Sequence, residues 1–346
     1  MTGRIRTLML VGASTTPAMA DLSELYARGA VDALADVADI TVLHCAPGKR
    51  RSRRWSRRWS LPRSLSHDDL RNAERLSLPD AMAELQGREF EAGLPQMFCP
   101  FGMTAGRNLF ELLCIPMIGN SPTVMGIGAD KALARAVIAS AGVRVPDGVV
   151  VRSLDALPEL PALPVVVKPV LSDNSEGLSL VGEPAELRPA IARALSCGSA
   201  ALVERFIPPG RELRGGVLEI GGELRLLRPE EYPVGGNRPV RVAADKLARD
   251  GTGALRLAAK TSDGAWLVDP DDPVIPAIHA AVARAFRALG CRHYGLFDFR
   301  VDDEGAVWFL EAGLYCSFAE SSVICAMAKA EGMSPADLFL ALVGEL

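Results

Sequence analysis

Through the first third of the chain, short and almost wholly apolar runs alternate with stretches in which apolar residues recur every three or four positions. "TLMLVGAS" predicts a buried strand of the parallel kind, closed by a glycine-containing turn. "ADLSELYARGAVDALADV" puts Leu22, Leu25, Tyr26, Ala30, Val31 and Leu34 on one face, which predicts a helix. "ITVLHC" is the next strand, followed by a short helix opening at Pro79 and running to about Leu85. A strand near "LPQMFCP" and a helix "GRNLFELLC" complete the pattern. Alternation of this kind predicts an α/β lobe with a mostly parallel sheet covered by helices.

The pattern then changes. A helix from about Ala129 stops at Gly142 and Pro146, and "PVVVKPV" and "LSLV" read as strands around the polar loop "LSDNSEG". A helix from Pro184 to about Leu195, a strand "AALVERFI" and further strands in "PPGRELRGGVLEI" and "GELRLL" follow. After the helix "PVIPAIHAAVARAFRALG" comes a hairpin, "YGLFDFRVDDEGAVWFLEAG", and "SSVICAMAKAEGMSPADLFLALV" closes the chain as two helices. This part reads as α+β, a different architecture from the first lobe.

At 346 residues the chain is long for one domain. Hydrophobic residues at 49% and charged residues at 23% describe a folded protein and exclude a disordered one. A net charge of −4 does not point to nucleic acid, but it hides an asymmetry. The segment "KRRSRRWSRRWSLPR", residues 49–63, holds eight of the 38 basic residues and none of the 42 acidic ones. The seven cysteines are scattered without a C-x-x-C pair, which argues against a zinc site or a disulfide framework and for a reducing cytoplasm. No apolar run is long enough for a membrane span. The opening "MTGRIRTLMLVGASTTPAMA" has some features of a signal segment, but its apolar run, Leu8 to Ala13, reads better as a buried first strand with a small-residue loop.

The hairpin carries the first candidate chemistry. In a register that pairs Val301 with Trp308, Asp298 faces Glu311. Two carboxylates that close repel unless a cation lies between them. Mg²⁺, with Mn²⁺ as a substitute, suits such a pair, because it takes oxygen ligands and leaves the remaining positions to phosphate and water. Lys168 stands inside an apolar strand, where an unpaired ammonium would cost several kcal/mol, so an anion is expected beside it. "SDNSEG", ending at Gly177, is small and polar enough to wrap phosphate oxygens with its backbone N–H groups. Lys131, Glu204, Glu212 and Lys246 are each unremarkable alone but fall in a suggestive order.

That order resembles the ATP-grasp fold, and within it the D-alanine–D-alanine ligase group. The resemblance runs through "LFELLCIPMIGNSPTVMGIGADK", "AGVRVP", "PVVVKPVLSDNSEGLSLV", "VERFIPPGREL", "AFRALGCRHYGLFDFRVDDEG", "FLEAG" and "EGMSPADLFLALV". It implies a first α/β lobe over 1–122, with a basic insertion at 48–66, and two ATP-grasp lobes over 123–203 and 204–346. It further implies that Lys131, Lys168 and Lys246 meet ATP phosphates and that Ser175 and Gly177 belong to a loop covering them. Glu204 would lie at the adenine edge beside a hinge, Arg205 to Ile207, and Glu212 at the ribose. Asp298 and Glu311 would bind the metal. Ser322 matches a contact to the second substrate's carboxylate, with Ser317 as its neighbouring candidate. The implied activity is ATP-dependent joining of a small-molecule carboxylate to an amine through an acyl phosphate. The alternatives are a nucleotide-binding protein without ligation or another phosphoryl transfer. The related ligases also point to a homodimer.

Several positions depart from the family pattern. Glu311-Ala312-Gly313 stands where E-x-N is usual, and Leu296 replaces an arginine two residues before the first acid. "YCSFAE" replaces a P-G-M segment, and "GMTA" at Gly102–Ala105 replaces G-E-D-G. These departures favour a specialised substrate over D-Ala–D-Ala. Arg300 or Arg292 is the expected substitute for the lost arginine, so the catalytic candidates are Lys246, Ser175 and Arg300. The basic segment reads as a solvated loop; as an alternative, its Arg–Trp repeat would grip RNA, a carrier protein or a phosphorylated substrate.

Overall fold

The structure is a computed structural model that describes residues 3–48, 57–172, 176–208, 210–235, 239–241, 247–249, 255–257 and 264–346. The first lobe contains β1 (Ile5–Gly12), α1 (Pro17–Ala33), β2 (Ala38–Cys45), β3 (Arg57–Ser60), α2 (His67–Asn72), β4 (Leu76–Ser77), α3 (Leu78–Leu85), β5 (Ala92–Pro95), α4 (Pro100–Met103) and α5 (Asn108–Leu112). Its sheet runs β4-β3-β2-β1-β5. β2, β1 and β5 are parallel as the apolar runs predict, while β3 and β4 pair antiparallel at one edge.

β3 corrects the solvated-loop reading for its part of the basic segment. Trp59 is buried, and the buried Arg58 guanidinium donates to the carbonyls of Ala46 and Ala13. A buried arginine is tolerable there because carbonyls at the strand ends accept its N–H groups. Residues 49–56 of the segment lie outside the described residues.

The chain continues through α6 (Pro122–Ala129) and α7 (Lys131–Ser140) to β6 (Gly148–Val151), β7 (Val165–Pro169), β8 (Ser179–Val181), α8 (Pro184–Ser196) and β9 (Ala201–Arg205). The helix expected from about Ala129 is α7, and α6 precedes it as a helix the apolar pattern does not predict. Asp130 separates them, its carboxylate accepting from the backbone N–H groups of Ala132 and Leu133, as an N-cap does. Gly142, at φ +76°, follows the end of α7. The strands form a small antiparallel sheet, β6-β9-β7-β8, whose valines and alanines pack on α8.

The third sheet, β14-β11-β10-β15-β16, is antiparallel and is built from β10 (Arg211–Ile220), β11 (Glu223–Tyr232), β14 (Trp266–Leu267), β15 (Tyr294–Val301) and β16 (Val307–Gly313). Between β11 and β14 lies a two-stranded pair, β12 (Leu247–Arg249) and β13 (Leu255–Leu257). α9 (Ile275–Leu289) packs on the third sheet with Ile278, Val282 and Phe286 buried, and α10 (Val323–Ala330) and α11 (Pro335–Val343) finish the fold. One continuous core joins Met9 and Leu94 of the first sheet to Tyr294, Phe318 and Phe339. The first lobe and the large sheet therefore share an interior, while the small sheet has a core of its own, and a cleft lies between small and large sheets. No helix among the described residues is long and apolar enough to cross a membrane. None of the seven cysteines is in a disulfide.

Candidate active site

The cleft has a volume of about 780 Å³, part of it open to solvent. Its first wall is the small sheet. Val166 pairs with Glu204 and Lys168 with Leu202, so Lys168 and Glu204 share the face that looks into the cleft. Lys168 Nζ is 2.5 Å from Glu204 Oε1, with both side chains buried. The anion expected beside Lys168 is therefore supplied, in this structure, by the neighbouring strand. Arg205 ends β9, and Ile207 follows on the segment crossing to β10. The Arg205 guanidinium lies 4.9 Å from the centre of the Trp308 ring, and the Ile207 carbonyl accepts from Arg300 at 3.0 Å.

The opposite wall is the large sheet, where charged side chains stand in rows across three strands. Arg214 on β10, Asp298 on β15 and Glu311 on β16 form one row. Glu212, Arg300 and Trp308 form the next. The Arg214 guanidinium grips both oxygens of Asp298, Nη2 to Oδ2 at 2.7 Å and Nε to Oδ1. Arg300 Nη2 is 2.5 Å from Glu212 Oε2, and Arg241 Nη1 is 3.7 Å from the other Glu212 oxygen. Burial pulls the Arg214 guanidinium down, but the Asp298 carboxylate overrides it and holds the group well above its ordinary range. Tyr232, under both Arg214 and Arg241, has its phenol pushed up by burial.

Asp298 faces Glu311 as expected, but the rest of the expected register is corrected. Val301 pairs with Val307, and Trp308 lies opposite Arg300. A bulge between the Asp298 and Phe299 pairs leaves Leu310 as the extra residue, which restores the acid–acid pairing. Leu310 then lines the cleft beside Glu311.

Lys131, the first residue of α7, closes one end. Its Nζ is 4.0 Å from Glu311 Oε2 and donates to the carbonyl of Ser172. Lys131, Lys168, Glu204, Arg205, Ile207, Glu212, Asp298, Arg300 and Glu311 are thus brought together around one cleft. Gly177, at φ +72°, lies just beyond the lining; a Cβ there would be 2.8 Å from Pro169 Cγ, so the turn requires glycine. Ser317 and Ser322 are buried away from the lining, Ser322 capping α10 through Cys325 N and Ser317 accepting from Ala319 N. Arg292 is elsewhere too, donating to the carbonyls of Gly119 and Met117. Ser175 and Lys246 lie outside the described residues. The sequence reading overlooked Arg214 and Arg241. The signal for Arg214 was available: it stands two residues after Glu212, hence on the same strand face.

The donor set suits a hard divalent ion. Asp298 and Glu311 offer carboxylate oxygens on one face, and Mg²⁺ commonly takes one or two carboxylates with phosphate and water for the rest. Among the described residues no cluster of three or more His, Cys, Asp or Glu side chains exists that would cage a metal by itself.

A family model described as the D-ala D-ala ligase C-terminus matches residues 150–237 and 261–344. The D-alanine–D-alanine ligase of Bordetella petrii is 30% identical over 239 residues, covering 68% of this chain and 69% of that protein. That of Mycolicibacterium gilvum is 34% identical over 254 residues, covering 70% and 66%. Among solved structures, the VanG D-Ala:D-Ser ligase from Enterococcus faecalis matches with a TM-score of 0.72 and 20% identity over 99% of both chains. The Bacillus anthracis D-alanine–D-alanine ligase complexed with ATP matches with a TM-score of 0.68 and 15% identity, over 99% of this chain and 97% of that one. The chain belongs to the D-alanine–D-alanine ligase family, ATP-grasp ligases that form a carbon–nitrogen bond.

Proposed function

We propose that this protein is an ATP-dependent carboxylate–amine ligase whose substrates differ from two D-alanines. The observation that carries the reading is the cleft itself, where Lys131 and Lys168 face Asp298 and Glu311 across the space between two sheets. ATP supplies the phosphoryl group that activates a substrate carboxylate as an acyl phosphate. Attack by the amine then forms the C–N bond and releases phosphate. Such chemistry needs positioning and charge neutralisation more than covalent help from the protein.

In this reading Lys131 and Lys168 bind phosphate oxygens, Glu204 and the Arg205–Ile207 segment border the adenine, and Glu212 borders the ribose. Lys168 must then share itself between Glu204 and a phosphate, which a buried pair next to an open cleft permits. Asp298 and Glu311 would hold Mg²⁺. Ser175, Gly177 and Lys246 would cover the phosphates and keep water from the acyl phosphate. The division at 1–122, 123–203 and 204–346 serves this arrangement, with the reaction placed in a reducing cytoplasm.

The specialised substrate is supported by Leu296 and Gly313, which bring neither charge nor oxygen to positions beside the acids, and by "YCSFAE" after them. A contact of the basic segment with RNA or a carrier protein would fall mainly to residues 49–56, because Arg58 and Trp59 are built into the first lobe. The bidentate Arg214–Asp298 pair favours one rival, a nucleotide-binding protein that no longer ligates. Phosphate release from Mg-ATP, measured against D- and L-amino acids and small carboxylates paired with amines, separates the two. Substrate-dependent release lost in Glu311→Ala, with a condensation product by mass spectrometry, is the expected result. Nucleotide binding without release across the panel would leave the rival.

A further inference from the structure

Asp298 stands between two directly opposed neighbours, Glu311 on one side and Arg214 on the other. The guanidinium contacts both carboxylate oxygens, and a two-pronged contact fixes the plane of the carboxylate as well as its charge. Arg214 is itself held in place. β10 lies inside the sheet between β11 and β15, and the guanidinium carbon sits 5.5 Å from the centre of the Tyr232 ring. At the far side of the pair, Lys131 approaches Glu311. Each of the two facing acids therefore already has a protein cation beside it.

The rows on either side add no ligand. Toward one end of the strands, Gly216, Leu296 and Gly313 lie across from one another and present no oxygen-bearing side chain. Toward the other, the carboxylate of Glu212 is engaged by Arg300. A divalent ion shared by Asp298 and Glu311 can complete its shell with phosphate and water. A second ion would have to approach Asp298 past a permanently charged guanidinium, with no further side-chain oxygen in the adjacent row to hold it.

We propose that Arg214 is a resident cation of this site, positioning Asp298 and confining the Asp298–Glu311 pair to one divalent ion. The inference rests on the ligase reading only for the identity of the phosphate-bearing partner. Arg214 acts through Asp298 and is a positioning residue.

The test is a Mn²⁺ titration of the full chain, followed by electron paramagnetic resonance and by calorimetry, with and without a non-hydrolysable ATP analogue. The wild type is expected to bind one Mn²⁺ per chain with the nucleotide. Arg214→Ala is expected to bind a second ion or to bind the first at least fivefold more tightly, and Arg214→Lys, which keeps the charge, to stay at one. Arg214→Gln, keeping a donor without the charge, should follow the alanine variant. Melting curves establish that each variant is folded. Two ions on the wild type would overturn the proposal without any variant, as would an alanine variant that is folded yet unchanged in count and affinity. Nucleotide binding is read in the same experiment. If none occurs, the ligase reading fails, and the comparison of wild type with Arg214→Ala in Mn²⁺ alone still decides the role of Arg214.

Discussion

Two buried polar regions of this molecule solve the same problem in different ways. At the junction between the first lobe and the large sheet, side chains are answered by backbone. Asn120, fully buried, donates to the carbonyls of Tyr294 and Leu314 and accepts from Arg292 N. His293 Nδ1 accepts from Gly119 N at 2.7 Å, and Arg292 and Arg107 donate to carbonyls. In the cleft, side chains are answered by side chains of opposite charge: Lys168 by Glu204, Asp298 by Arg214, Glu212 by Arg300. A backbone partner cannot leave without unfolding its strand, whereas a charged side chain can trade its partner for a ligand's phosphate or metal. The junction is thus a fixed seam, and the cleft a set of exchangeable pairs.

The largest effects should separate the two regions by kind. Asp298→Asn removes the charge that the proposed metal needs, and phosphate release should fall at least ~10²-fold, the scale of losing one electrostatic group at a reacting centre. Asn120→Ala should change turnover by no more than about threefold at a temperature where the variant remains folded, because none of the junction residues named above lines the cleft. A larger loss of turnover in Asn120→Ala than in Asp298→Asn would undo the distinction.

Stability should rank the other way. Asn120→Ala strands two carbonyls and one N–H in a place closed to water, and at about 1–3 kcal/mol for a buried group left unpaired the total should reach roughly 3 kcal/mol or more. Asp298→Asn retains an acceptor for Arg214 and should cost less. Urea unfolding of the two variants in parallel measures the order.

How much of this was legible in the sequence follows from the same physics. Lys168 in an apolar strand and two acids in facing strands stand out because burial makes them costly, and both lead to the cleft. The arginine on Asp298 has a signal in its spacing from Glu212, but the glycines after it weaken the strand pattern that would give the spacing meaning. Gly215 and Gly216 stand inside β10. A Cβ on Gly215 would come within 2.3 Å of Val282, and one on Gly216 within 2.6 Å of Met327, so the glycines let helices close onto the sheet. α6 was lost for a similar reason, since Gly126 and Gly128 depress helix propensity, while a Cβ on Gly128 would meet Leu314 at 2.5 Å. Periodicity also cannot reveal a one-residue bulge, so the hairpin register slipped at Trp308 although the acids were matched correctly. β3 escaped because charge density says nothing about what carbonyls wait at a strand end.

A smaller effect should come from pH, at the seam. Burial, aided by Arg292 and opposed by Glu345, holds the His293 imidazole down at about 4, against an ordinary 6.5. Its Nδ1 must stay unprotonated to accept from Gly119. The unfolded chain therefore takes up a proton at higher pH than the folded one, and the associated stability is complete above about pH 6.5 and drains away as pH falls toward 4. His293 sits at φ +67°, which asparagine tolerates, so His293→Asn is the suitable control. Its melting temperature should fall less steeply than the wild type's between those two values; identical slopes would mean that His293 does not titrate with folding.

The smallest structural effect is expected at Gly313, and its smallness makes it informative. Gly313 is not among the glycines with positive φ, and a Cβ there would have Leu296 Cβ at 3.8 Å and Leu296 O at 3.9 Å as its nearest neighbours, ordinary contact distances. The fold therefore does not require glycine at this position. Gly313→Asn should change stability by only about 0.5 kcal/mol, the range of substitutions that disturb no special feature. Residue 313 is two positions after Glu311 and so on the same strand face, where an amide oxygen would lie beside the acids. If the proposed metal sits there, the Mg²⁺ concentration for half-maximal phosphate release should fall severalfold in Gly313→Asn while the melting temperature holds. A variant that melts normally and shows an unchanged Mg²⁺ requirement would place the ion away from β16, and would make the Asp298–Arg214 pair a fixed one like the contacts of the seam.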